Sequence, residues 1–212
     1  MQDCERNRTK IVVGLGNPGR RYARTRHNVG FEVIESLRGR WGLDAGRHAF
    51  SGVVIEWRAG TDEAPRRVML FKPHTYMNLS GRAAADIARF YKADPQEVLV
   101  VLDDLALPLG QLRARAGGSA GGHNGLSDVL AALGTEQVPR LRIGIGPRPE
   151  QIDAMSFVLQ RFTPDEQAVV DEALQLGARA VEDWVRDGIA CVMNRYNRKV
   201  QEDEPPDVET CP

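Results

Sequence analysis

Asparagines, histidines and a strand-end aspartate recur in a few glycine- or proline-marked segments of this 212-residue chain. Asn17, Tyr22 and His27 fall in GNPGRRYARTRHN, and His74, Tyr76 and Asn78 in HTYMNLSG. Asp103 ends the apolar run EVLVVLDDL, and His123 and Asn124 follow in GGSAGGHNG. A histidine can take a proton from water near neutral pH. A carboxylate behind it fixes the tautomer and stabilises the imidazolium. Amide side chains donate to a developing oxyanion without adding charge. No G-x-S-x-G nucleophile motif accompanies them, so the attacking group is expected to be water and the substrate an activated ester. Each residue also has a plainer role open to it. Asn78 or Asn124 could simply start a helix, and His27, His74 and His123 with Asp103 could hold a metal, although no H-E-x-x-H spacing supports that.

Gly14, Gly16 and Gly19 spell G-x-G-x-x-G after an apolar run, as in a dinucleotide fingerprint. That fingerprint needs a helix immediately behind the turn. Here Pro18 and the arginine-rich RRYARTRH intervene, and the first apolar stripe at helical spacing begins only near Asn28, with Val29, Val33, Ile34, Leu37 and Trp41. The acidic residue expected on a second strand would be Glu32 or Glu35, both inside that helix. The glycines therefore read as a strand-to-loop turn.

The elements that must position these residues follow from pattern. Lys10–Leu15 is a β-branched strand; Phe50–Trp57 and Arg67–Phe71 are strands able to pair across the turn GTDEAP. A helix is expected over Ser80–Tyr91, a doubly buried strand in EVLVVLDDL, a short strand in GQLRARA, a helix over Leu126–Leu133 and a strand in RLRIGIG. Thr163 and Glu166 form a capping-box pattern before a helix through Val185, and a last helix runs to about Arg198. Alternating strands and helices predict a single three-layer α/β/α domain around a twisted, mostly parallel mixed sheet. Ligands in such sheets collect beyond the C-terminal strand ends, where the chemistry-bearing segments fall.

At 42% hydrophobic and 27% charged residues, the composition is that of a soluble globular chain, without a membrane-length apolar run. The polar start lacks a secretory signal, and Cys4, Cys191 and Cys211 are odd in number and far apart, which fits a reducing cytoplasm. Of 29 acidic residues five lie in the tail QEDEPPDVETCP, leaving 24 against 28 basic ones and a net +4 elsewhere. Arginines gather at 20, 21, 24 and 26, at 113 and 115, and at 140, 142 and 148, which permits a phosphate-binding face.

VGLGNPG, TRHN, TYMNLSG, DDLALPLG, GGSAGGHNGL and RLRIGIG, with FVLQRF and CVMNRYN, resemble the bacterial-type peptidyl-tRNA hydrolases in order and spacing. The resemblance spans residues 10–198, leaving 1–9 as an N-terminal extension and 199–212 as an acidic, disordered tail. It implies a cytoplasmic, monomeric, cofactor-free and metal-free enzyme with no obligatory protein partner. The implied reaction is hydrolysis of the ester between peptide and the 3'-terminal ribose of N-blocked peptidyl-tRNA. His27 corresponds to the general base, Asp103 to its supporting carboxylate and Asn17 to the residue that distinguishes N-blocked substrate. Tyr22, Tyr76, Asn78 and Asn124 match substrate-holding positions near the CCA end and peptide, and Arg115 and Arg142 a tRNA phosphate clamp. Ala106 stands where many relatives carry a second acid. The contrasting expectation is a catalytically idle RNA-binding relative on the same scaffold.

Overall fold

The computed structural model describes residues 9–59 and 66–197. Nearly all of the N-terminal extension, the GTDEAP turn and the acidic tail lie outside the described residues. In chain order the elements are β1 (Lys10–Gly14), α1 (Val29–Arg40), β2 (Arg47–Ala49), β3 (Gly52–Ala59), β4 (Arg66–Pro73), α2 (Ser80–Tyr91) and β5 (Val98–Pro108). There follow β6 (Leu112–Arg115), α3 (Asn124–Leu133), β7 (Arg140–Gly146), α4 (Ala154–Val158), α5 (Pro164–Asp187) and α6 (Ile189–Tyr196).

The seven strands form one sheet in the order β2-β3-β4-β1-β5-β7-β6. Its centre, β4-β1-β5-β7, is parallel as expected, while β2-β3, β3-β4 and β6-β7 pair antiparallel, so both edge strands run antiparallel to their neighbours. Because side chains alternate across a strand, β1 sends Val12 to one face and Ile11 and Val13 to the other. The first face is covered by α1, α5 and α6 around Val33, Leu37, Val181 and Trp184. The second is covered by α2 and α3 through Ala84, Ile87, Leu126 and Val129. Three layers result, and β1 lies at the switch point, its following helix on one face and those after β4 and β6 on the other.

Gly14 and Gly16 of the opening turn serve packing, while Gly19 supplies a positive φ of 101° in open space. A Cβ on Gly14 would fall on the carbonyl of Gly30, and one on Gly30 on the carbonyls of Val101 and Leu15. Strand and helix can approach this closely only without side chains, so the resemblance to a phosphate cradle comes from α1 lying tight against β1 and β5.

Two elements lack a sequence signal. β2 is three residues long and mostly exposed, without apolar alternation. α4 is a five-residue turn too short to display a helical period, and Asp153 caps it by accepting the Ser156 N–H at 2.9 Å. At the other edge, Asn197 closes β6. Its amide accepts the Ala114 N–H at 2.6 Å and donates to the Ala114 carbonyl at 3.0 Å, occupying groups a foreign strand would otherwise meet.

Candidate active site

A cavity of about 620 Å³ opens at the C-terminal ends of the parallel strands. Asn17, Tyr22, His27, Tyr76, Asn78, Asp103, Asn124 and Arg142 all line it. Eight of the nine side chains expected at a site are thus brought together. Arg115 is the exception; it lies exposed on edge strand β6, opposite Arg140 and two register steps beyond the pairing of Arg113 with Arg142.

Asp103 is the buried centre, 3% exposed; β5 runs on past it to Pro108, so it sits midway along that strand, just beyond the end of neighbouring β1, and not at a strand end as expected. Its Oδ1 lies 2.7 Å from His27 Nδ1 and 3.0 Å from His123 Nε2. A backbone donor sets the tautomer of His123, and the Asp103 carboxylate that of His27. The Leu126 N–H donates to His123 Nδ1 at 3.1 Å, so that nitrogen carries no proton in the neutral ring and His123 presents Nε2–H to the carboxylate. His27 correspondingly donates Nδ1–H to Asp103. Its Nε2 is left as the acceptor, with no hydrogen-bond partner among the described residues, on a ring that lines the cavity. Burial alone would raise the Asp103 carboxyl. The imidazoles of His123 and His27 outweigh it and hold the group well below the usual carboxylate range.

Both histidines enter from helix starts on opposite faces. His27 lies in a 3-10 turn directly ahead of α1, and His123 is itself the N-cap of α3. Asn124, a candidate cap from sequence, is instead the exposed first residue of α3, and Asn78 sits exposed in a 3-10 turn before α2; neither caps a helix with its side chain. His123 is the residue whose part was least legible, since HNG reads as a turn.

Asn17 is 7% exposed and its amide is oriented by a backbone donor. Met77 N–H can only donate, so the Asn17 atom 2.9 Å from it is Oδ1. Nδ2, the donor end, belongs to a side chain lining the cavity. The Asn17 backbone is held in turn by Asn28, whose Oδ1 accepts Asn17 N–H at 2.8 Å and whose Nδ2 donates to the Asn17 carbonyl at 3.0 Å. Asn28 occupies the cap position of α1 yet spends its amide here.

The arginine groups divide by environment, and only some of them are available to a phosphate-binding face. Arg26 is buried, its guanidinium between Phe157 and Phe162 and bonded to both carboxylate oxygens of Glu166 at 2.9 and 2.7 Å. Arg140 is buried too, donating to the carbonyls of Val138, Gly118, Ser119 and Glu136 and so shaping the loop that carries His123. Arg142 pairs with Asp104 at 2.6 Å at the cavity wall.

His27, Asp103 and His123 each offer one metal-ligating atom within 4.8 Å of the others. A bound ion would replace the hydrogen bonds that fix the tautomers. His74 stands outside this group, against His48 with ring centroids 5.6 Å apart. Among the described residues no helix is long and apolar enough to cross a membrane.

The family profile described as peptidyl-tRNA hydrolase matches residues 11–204. A peptidyl-tRNA hydrolase of Chloroflexus aggregans is 52% identical over 188 residues, covering 88% of this chain and 98% of its own. One from Symbiobacterium thermophilum is 48% identical over 188 residues, covering 89% and 98%. The crystal structure of the Acinetobacter baumannii peptidyl-tRNA hydrolase superimposes with a TM-score of 0.80 at 34% identity, covering 89% of this chain and 94% of that one. With a profile spanning most of the sequence and relatives near half identical over it, the chain belongs to the peptidyl-tRNA hydrolase family, and its activity is the hydrolysis of peptidyl-tRNA.

Proposed function

We propose that His27 is the general base of this hydrolysis. Its Nε2 takes a proton from a water that attacks the carbonyl carbon of the ester joining the peptide to the 3'-terminal ribose. Asp103 keeps the Nδ1 proton in place and stabilises the imidazolium as it forms. The tetrahedral oxyanion is met by amide donors, Asn17 Nδ2 first among them. When the intermediate collapses, the ribose 3'-oxygen leaves and recovers the proton from His27. Asn17 also checks that the peptide's amino end is blocked. Tyr22, Tyr76, Asn78 and Asn124 hold the CCA end and peptide around the cavity, while Arg115 and Arg142 meet acceptor-stem phosphates.

The observation that carries this reading is the 2.7 Å contact between His27 Nδ1 and Asp103, which leaves Nε2 as the open nitrogen. It also speaks against an idle RNA-binding relative, which would have no need of a tautomer-fixed histidine. The enzyme is taken to act in the cytoplasm, unaided by cofactor, metal or protein partner. The test is release of peptide by the purified protein from N-blocked and unblocked aminoacyl-tRNA, with and without chelator. Cleavage confined to the blocked substrate, indifferent to chelator and reduced about 10²- to 10⁴-fold in His27→Ala, is expected. Undiminished turnover by that variant would remove His27 from the role of base.

A further inference from the structure

The loop between β1 and α1 presents, next to the cavity-lining Tyr22, two arginines with no carboxylate partner among the described residues. Arg20 and Arg21 are exposed, within the 3-10 turn Arg20–Tyr22, and neither makes an ion pair among the described residues. Their neighbours are engaged elsewhere: Arg26 is buried against Glu166, and Arg24 lies beside the carboxyl of Glu32. The Arg21 guanidinium instead stacks over the Tyr22 ring, 4.5 Å from its centroid, and Tyr22 lines the cavity.

The turn is held firmly. Tyr22 N–H donates to the Gly19 carbonyl at 3.1 Å, and Thr25 Oγ1 donates to the Tyr22 carbonyl at 2.8 Å. Thr25 bridges to Arg161, Arg26 N–H donates to the Gln160 carbonyl at 2.9 Å, and the Arg26 side chain bolts the end of the loop to α5. Two unpaired cations are thus presented by a backbone that has no need of them for folding. A guanidinium stacked on a phenol ring is a flat, cationic platform, the surface on which an unpaired nucleobase settles, and a second free arginine beside it suits the adjoining phosphate.

We infer that Arg21 with Tyr22 forms a stacking platform for the 3'-terminal adenosine of the tRNA, and that Arg20 contacts the phosphate leading into it. The turn at Arg20 and Arg21 is then a second RNA contact, distinct from Arg142 and Arg115. It rests on the reading that the ester lies beside His27, but binding alone tests it, so failure of the His27 assignment, seen as turnover by His27→Ala, is separately visible.

The probes are an acceptor-stem RNA hairpin ending in CCA and the same hairpin lacking the terminal adenosine, titrated against intact protein. Arg21→Ala is expected to weaken the CCA-ended hairpin about tenfold and the shortened one little. Arg21→Lys, which keeps charge without the planar face, behaves like Arg21→Ala on the CCA-ended hairpin. Arg20→Ala makes the salt dependence of binding shallower by about one unit of log–log slope. Unchanged affinity of Arg21→Ala for the CCA-ended hairpin, equal losses on both hairpins, or an unaltered salt slope in Arg20→Ala would overturn the assignment. The melting temperatures of the variants, expected to match wild type because both side chains are exposed, exclude loss of fold as the cause.

Discussion

The side-chain oxygen of Asn17 accepts the backbone N–H of Met77 at 2.9 Å, tying the loop after β1 to the loop after β4. One end of the amide is therefore held by the backbone, and the other has no hydrogen-bond partner among the described residues of this cavity-lining side chain. Asn17→Asp keeps the acceptor for Met77 but removes the donor and adds a negative charge where an oxyanion must form. Its turnover is expected to fall about 10²-fold or more while its melting temperature stays near wild type. Asn17→Ala loses both ends and lowers activity and melting temperature together. Full activity in the aspartate variant would show that the Nδ2 donor has no part in the reaction.

Asp103 accepts from two histidines through one oxygen, and only one of them, His27, has an open second nitrogen. Asp103→Asn can turn its amide NH₂ toward His27 and force the proton onto Nε2, so kcat is expected to drop by about 10²- to 10⁴-fold with tRNA binding retained. His123→Ala leaves the His27 to Asp103 bond standing and removes the cap of α3, which costs about 1 kcal/mol of stability. It should reduce kcat less than Asp103→Asn but lower the melting temperature more clearly. Rapid-quench turnover and thermal melts on the two variants check the ordering.

Legibility in the sequence followed how local each signal is. Helix α2 and strand β7 appear at the bounds their apolar spacing predicts, Ser80–Tyr91 and Arg140–Gly146, and the Thr163 to Glu166 capping box closes as expected. The gathering of Asn17, His27, Asn78 and Asp103 is legible because they follow, or for Asp103 lie on, strands that a parallel core runs toward one side; Asn124 reaches them through the loop after antiparallel β6. What the sequence could not show depends on long-range packing. Nothing local separates buried Arg26 and Arg140 from exposed Arg20 and Arg115, since the difference lies in Glu166, two phenylalanines and a ring of loop carbonyls far along the chain. His123 likewise declares its role only when Asp103 and the start of α3 converge on its two nitrogens.

Arg142 and Asp104 approach to 2.6 Å, which distinguishes the two members of the expected phosphate clamp. Arg115 makes no ion pair among the described residues; part of the Arg142 charge is already balanced. Arg115→Ala should therefore weaken tRNA binding with a salt slope shallower by about one unit. Arg142→Ala also leaves the Asp104 carboxylate unpaired at the cavity wall, where it repels RNA, so its loss should exceed that of Arg115→Ala. Adding Asp104→Asn to Arg142→Ala should recover part of the affinity, a coupling that a double-mutant cycle measures directly. Strictly additive losses would mean the pair is not maintained in solution.

Arg26 and Glu166 join the His27 loop to the start of α5, and this bond predicts a pH dependence of stability. Burial acts to raise the Glu166 carboxyl, but hydrogen bonds from Arg26 and the Thr163 backbone outweigh it, and the group titrates below its ordinary value of 4.5. A carboxyl depressed in the folded state stabilises the protein fully above its unfolded pKa, and that contribution fades as pH falls through the lower folded value. Glu166→Gln should therefore destabilise the protein at pH 7, by about 2 kcal/mol because Arg26 is left buried without its counter-charge, a figure kept modest by the partial exposure of Glu166. The difference from wild type should shrink below about pH 4.5 as the wild-type carboxylate itself becomes neutral. Thermal melts of the two proteins from pH 7 to pH 3 provide the check, with a gap that stays constant counting against the bond. Since Arg26 immediately precedes His27 in the chain, the variant's turnover should also fall off at a lower temperature than wild type, ahead of global unfolding, as the loop that presents the base loosens first.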